Sequence, residues 1–176
     1  MKETISVMMS QEKVENRIQE LADQINKDYE GKTIHMVGIL KGSVMFMAEL
    51  AKRVHGKVIM DFMSVSSYGD GTESSGKIII KKELDIPPDG LDVLVVEDII
   101  DSGRTLSYLL EYFKEHGANS IRLCTLLDKP DRRVVDVAVD YTGFQIPDEF
   151  VVGYGLDYAQ KYRNLPYIGV LELKED

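Results

Sequence analysis

The chain has 176 residues, with 21 lysines and arginines against 30 aspartates and glutamates, a formal net charge of −9. That length fits one domain, residues 1–176, able to bury roughly 70% of its unfolded surface. An apolar content of 44% with 29% charged residues excludes a disordered chain. The acidic balance argues against nucleic-acid binding, which rests on Lys and Arg displacing counterions from phosphates. An acidic protein still accepts a polyphosphate if a metal ion screens the charges. The longest apolar stretches fall short of the ~18 residues of a membrane span. The start of the chain turns polar at Ser10-Gln-Glu-Lys13 before a signal-peptide core forms, so a soluble, cytoplasmic protein with no membrane contact is expected. Cys124 stands alone and forms no internal disulfide, which permits a reducing compartment.

In chain order, residues 11–29 predict a helix, because Val14, Ile18, Leu21 and Ile25 recur at helical spacing between charged residues. Thr33 to Leu40 reads as a buried strand. Ser43 then offers a cap for a helix with Val44, Met47, Ala48 and Ala51 on its inner face. Lys57 to Ser66 is strand-like. Residues 67–76 are turn formers without apolar period, a long loop of the functional or mobile kind. Strand resumes from Lys77 to Leu84. Leu91 to Val96 is apolar on both faces, the pattern of a central strand. Residues 102–117 predict an amphipathic helix with Leu106, Leu109, Leu110 and Phe113 inward and Gly117 as its stop. Further strands are expected near Ser120–Leu127, Val134–Val139, Phe150–Gly153 and Tyr167–Leu173. Alternating strands and helices imply an α/β domain with a mainly parallel central sheet. Ligands of such sheets bind beyond the carboxyl ends of the strands, at the loops beginning near Lys41, Asp98, Asp128 and Gly153.

The richest segment is Val95-Val-Glu-Asp-Ile-Ile-Asp-Ser-Gly-Arg-Thr-Leu106. A hydrophobic strand ends in Glu97 and Asp98, and Asp101 opens the turn into the helix. The first N–H groups of that helix, near Ser102, Gly103, Arg104 and Thr105, lack intrahelical acceptors and suit a terminal phosphate. Acids beside such a seat repel phosphate but accept from sugar hydroxyls and steady a metal ion. A phosphorylated ribose satisfies both halves.

This run resembles the phosphoribosyl pyrophosphate signature of type I phosphoribosyltransferases. From Ile5 to Leu173 the chain is similar to their bacterial hypoxanthine (hypoxanthine-guanine) branch. The resemblance is carried also by Leu40-Lys41-Gly42, Ser67-Tyr68, Leu126-Leu-Asp-Lys-Pro130 and Ile146-Pro-Asp-Glu-Phe-Val-Val-Gly-Tyr-Gly-Leu-Asp157. It implies one domain with a small hood and a mobile lid loop over residues 67–76. The implied reaction joins hypoxanthine or guanine to phosphoribosyl pyrophosphate, giving IMP or GMP and pyrophosphate, with Mg²⁺ as cofactor. The implied roles are as follows. Glu97 and Asp98 hold the ribose hydroxyls, with a share in metal binding beside Asp157. Asp101 serves the base as proton acceptor or stabiliser, and Ser102, Gly103, Arg104 and Thr105 surround the 5′-phosphate. Lys41, Gly42, Ser67, Tyr68 and Arg163 contact pyrophosphate. Lys129, Phe150 and Val151 bind the purine, where an ammonium that only donates favours a carbonyl O6 over an amino group. Members of the family can carry a non-proline cis peptide before the lysine of the Lys-Gly pair, and the sequence leaves Leu40–Lys41 open. The family suggests a homo-dimer or homo-tetramer.

Other signals carry less. Gly71 to Lys77 matches part of a P-loop, but Ile78 and a β-branched run follow where a hydroxyl residue and a helix are required. His35, His55 and His116 are too scattered for a metal site. Cys124 reads as packing, and Arg132 with Arg133 as a solvated basic corner, with a subunit contact as the lesser option. The rival to an enzyme is a regulatory nucleotide- or RNA-binding protein on the same fold, against which the net charge, Lys129 and the Phe150-Val151 tail all count.

Overall fold

The computed structural model describes residues 1–67 and 77–175. Tyr68 and, apart from Ser67, the expected lid loop lie outside the described residues. Strands β2 (Thr33–Leu40), β3 (Lys57–Ser67), β4 (Ile78–Lys82), β5 (Asp92–Ile100), β6 (Ser120–Asp128) and β7 (Tyr141–Gln145) form one sheet in the order β4-β3-β2-β5-β6-β7. β4 runs antiparallel to β3, and the other pairings are parallel. Helices α1 (Gln11–Asp28) and α2 (Val44–Arg53) contribute to the core on one face, and α3 (Arg104–Glu115) to the core on the other. Both faces of β5 are therefore buried, which explains its unbroken apolar run. No helix among the described residues is long and apolar enough to cross a membrane.

The first helix is as its periodicity requires. Ser10 caps it by accepting from the Lys13 N–H at 3.2 Å, and Val14, Ile18, Leu21, Ala22 and Ile25 are buried. The second departs from expectation. Ser43 is buried with helical dihedrals and its hydroxyl makes no capping bond, while the inner face is Phe46, Met47 and Leu50. Ala48 is exposed. Ala51 is half-buried against the same core as expected, and the added burial of Phe46 and Leu50 removes a larger apolar area from water than Ala48 could.

The expected strand at Val134–Val139 is not a strand. β7 begins seven residues after Val134, at Tyr141, and occupies the free edge of β6 with Cys124 opposite Tyr141 and Leu127 opposite Phe144. The alternation of apolar residues is real, and Val135, Val137 and Val139 are half-buried. Val137 and Val139 pack onto the α3 side of the core, and the Val134 and Val135 N–H groups donate to the Ser102 carbonyl. Cys124 lies in β6 fully buried, with its thiol pushed up by that burial.

The hood is a separate three-stranded antiparallel sheet, β1 (Lys2–Met9), β9 (Ile168–Lys174) and β8 (Val151–Val152), in the order β1-β9-β8. Its first strand has no counterpart in the expectations, and its last two are the strands expected near residues 150 and 167. Met9, Val151, Tyr154, Leu156 and Ile168 join the core formed by α1 and α2, so hood and main sheet share one apolar interior.

Candidate active site

A cleft of about 520 Å³ opens at the carboxyl end of the central strands. Glu97, Asp98, Asp101, Ser102, Gly103, Thr105 and Ser67 are among its walls. Val93 and Val95 face the α3 side and Leu94 and Val96 the α1–α2 side. Past Val96 the alternation breaks, since Ile99 packs on the α1–α2 side and Ile100 on the α3 side, and Glu97 and Asp98 both line the cleft, with Asp98 against the loop after β2. A Cβ built on Gly42 would stand 1.7 Å from Asp98 Oδ2, so only glycine lets that carboxylate sit there.

Glu97 is 8% exposed, and burial, then the neighbouring Asp98 charge, pushes its carboxyl well above the usual range. Burial also raises Asp98, opposed by hydrogen bonding, which includes the Ile99 N–H at 2.7 Å, and by the Arg163 charge. Two crowded carboxylates of this kind call for donors or a cation. Their hard oxygens suit Mg²⁺. Among the described residues no three His, Cys, Asp or Glu side chains gather as a ligand set.

After β5 the chain turns through Asp101 and Ser102 into Gly103, the cap of α3, whose φ of +83° favours glycine. A Cβ there would lie 2.6 Å from the Val135 carbonyl oxygen. Asp101 is exposed at the cleft, and Ser102 Oγ accepts from the Arg104 N–H at 3.3 Å. α3 starts two residues later than expected. Arg104 is exposed and does not line the cleft, whereas Thr105 does.

A second group surrounds the loop that follows β2, where Leu40–Lys41 is a cis peptide. Lys41 Nζ donates to Gln160 Oε1 at 3.1 Å, and Arg163 Nη2 donates to the same oxygen at 3.2 Å. Arg163 also pairs with Asp157 at 3.2 Å and donates to the Gly155 carbonyl at 2.7 Å. Gly155, at φ +98°, lies so near Gly42 that a Cβ would stand 1.9 Å from the Gly42 oxygen. Lys41, Gly42, Asp157 and Arg163 are thus joined to Asp98 as one cluster. Gln160 at its centre was not foreseen. It and Ala159 and Tyr162 have positive φ without being glycine, a backbone that no local signal announces.

The third group borders the turn. Lys129 is 8% exposed, its N–H donates to the Ile100 carbonyl at 3.0 Å, and its Nζ lies 3.7 Å from Asp148 Oδ1. Val151 is buried in the hood, whereas Phe150 is 53% exposed, set edge-on to Tyr158 with centroids 5.8 Å apart. A ring left this open is available for stacking. Arg133 corrects an expectation. It is 18% exposed, not solvated, and its guanidinium pairs with Asp128, while Arg132 at 56% is surface.

The phosphoribosyl transferase domain model matches residues 9–159. The chain belongs to the phosphoribosyltransferase family. It is 52% identical over 171 residues to the hypoxanthine-guanine phosphoribosyltransferase of Streptococcus thermophilus, covering 97% of this chain and 95% of that one. It is 55% identical over 166 residues to the bifunctional protein TilS/HprT of Listeria monocytogenes, covering 94% of this chain and 26% of that longer protein. The chain thus spans about a quarter of the length of that bifunctional relative. A Staphylococcus aureus hypoxanthine phosphoribosyltransferase structure superposes with a TM-score of 0.92 at 50% identity, covering 95% of this chain and 91% of that one. The mainly parallel α/β fold with a small hood, expected from the sequence, is the fold of that structure.

Proposed function

We propose that the chain transfers the 5-phosphoribosyl group from phosphoribosyl pyrophosphate to hypoxanthine or guanine, forming IMP or GMP and pyrophosphate in purine salvage. The observation that carries this reading is the placement of three unlike groups at the carboxyl ends of the adjacent strands β2, β5 and β6. A buried carboxylate pair stands beside a helix N-terminus, a Lys–Arg cluster lies on one side, and a near-buried lysine lies on the other.

Chemistry assigns each group a task. Glu97 and Asp98 accept from the ribose hydroxyls. The N–H groups at Ser102 to Thr105, with their hydroxyls, hold the 5′-phosphate. As N9 of the purine attacks C1′, the ring becomes oxocarbenium-like, and Asp101 takes up or stabilises the proton of the base. Lys129 donates to O6, Phe150 covers the ring, and Val151 meets its edge. Lys41, Gly42, Arg163, Ser67 and Tyr68 serve the pyrophosphate. Asp157 or the Glu97–Asp98 pair would hold Mg²⁺, which would supply charge neutralisation for the leaving pyrophosphate. The working form is a cytoplasmic homo-dimer or homo-tetramer.

Incubation with Mg²⁺, phosphoribosyl pyrophosphate and hypoxanthine or guanine is expected to release pyrophosphate. Silence across several purine bases would move the assignment to a regulatory nucleotide-binding protein. Gly42→Ala is expected to raise the KM for phosphoribosyl pyrophosphate about tenfold or more, since overpacking at a well-filled site costs about 1–3 kcal/mol and the added methyl falls on Asp98. Initial-rate kinetics at saturating base would show it, and a wild-type KM would mean that Asp98 does not hold the sugar from that position.

A further inference from the structure

We propose that Arg133 is a positioning residue for the phosphate-binding turn, acting through a strap formed by residues 128–135. The proposal rests on the reading of Asp101–Thr105 as the phosphate seat. Four hydrogen bonds run from the strap to the turn. The Lys129 N–H donates to the Ile100 carbonyl at 3.0 Å, and Arg133 Nε to the Asp101 carbonyl at 3.2 Å. The Val134 and Val135 N–H groups donate to the Ser102 carbonyl at 2.9 and 3.0 Å. Three consecutive carbonyls are therefore drawn to the strap side. In a trans peptide the N–H opposes its carbonyl, so the N–H groups of Asp101, Ser102 and Gly103 point away from the strap. Asp101, Ser102 and Gly103 are themselves walls of the cleft. The strap thereby presets donors for an anion before the anion arrives, and preset donors bind without a reorganisation cost.

Arg133 is the one side chain among these four donors, and it does two things at once. Nε holds the Asp101 carbonyl while Nη2 pairs with the carboxylate of Asp128, which is 6% exposed. Asp128 ends β6 and immediately precedes Lys129. One guanidinium thus ties the end of the strand that carries the base-reading lysine to the turn that seats the phosphate. A guanidinium has the fork needed to serve both acceptors, and an ammonium does not. Arg133 also packs under the turn, since a Cβ on Gly103 would lie 3.0 Å from its Cδ.

The test compares the binding of IMP and of inosine by calorimetry, so that only the phosphate differs, with thermal unfolding measured in parallel. Arg133→Gln is expected to weaken IMP at least tenfold and to leave inosine within threefold. Arg133→Lys keeps the charge beside Asp128 and is expected to lose the same discrimination, with an unfolding midpoint near that of the wild type. Equal losses for both ligands, or wild-type discrimination in Arg133→Lys, would overturn the role of Arg133 while leaving the phosphate seat in place. A wild-type protein that binds IMP no tighter than inosine would instead remove the seat, and the role of Arg133 with it.

Discussion

Asp101→Asn is expected to lower kcat by about 10²- to 10⁴-fold, the range lost when a positioned proton acceptor is removed. The KM for phosphoribosyl pyrophosphate should stay within about threefold. Asparagine has the shape of aspartate and still accepts a hydrogen bond, but it cannot take a proton at neutral pH. The turn is held by its backbone, through Arg133 Nε on the Asp101 carbonyl and the strap on either side, so the side chain can change without moving the seat. Asp101 is exposed, and its substitution should cost little stability. Single-turnover measurements would separate the chemical step from product release. An unchanged single-turnover rate would strip Asp101 of its role.

Lys129→Ala is expected to raise the KM for hypoxanthine by about 10- to 150-fold, the equivalent of about 1.5–3 kcal/mol for a hydrogen bond from a charged donor. The KM for phosphoribosyl pyrophosphate should change far less. The asymmetry follows from position. Lys129 follows β6 and Lys41 follows β2, on either side of β5, and the charged partner of the ammonium is Asp148 at 3.7 Å. A near-buried ammonium with so loose a partner is available to a carbonyl oxygen entering beside it. Parallel rises in both constants would show that Lys129 supports the fold of the site and does not read the base. Competition among hypoxanthine, guanine and xanthine in the same variant would show which base depends on it most.

What was legible in the sequence was local. The acids at 97, 98 and 101, the glycine at 103 and the helix that follows lie within a few residues of one another, and backbone sterics and strand alternation act over that range. The resemblance extended the reading to Lys41, Lys129, Asp157 and Arg163, which the fold brings near that turn. Legibility failed where contacts cross the chain. The Val134–Val139 alternation satisfied every local rule for a strand, yet its ladder partner was already taken by Tyr141–Gln145. Arg133 looked like any surface arginine because its partners, Asp101 and Asp128, are brought to it by the β5–β6 pairing. β1 pairs with β9, Lys2 opposite Lys174, and no pattern within either strand encodes so distant a register.

The chain by itself determined the α/β class, the central apolar strand and the run of acids, glycine and hydroxyls that opens α3, because composition, periodicity and short-range geometry suffice for these. Tertiary structure alone decided which residues of α2 are buried, the pairing of β1 with β9, the left-handed run through Gln160 that joins Lys41 to Arg163, and the seat of Asp98 against Gly42. The reason is physical. Burial and hydrogen-bond satisfaction are settled by what arrives on the other side of a residue, and that neighbour is written elsewhere in the chain.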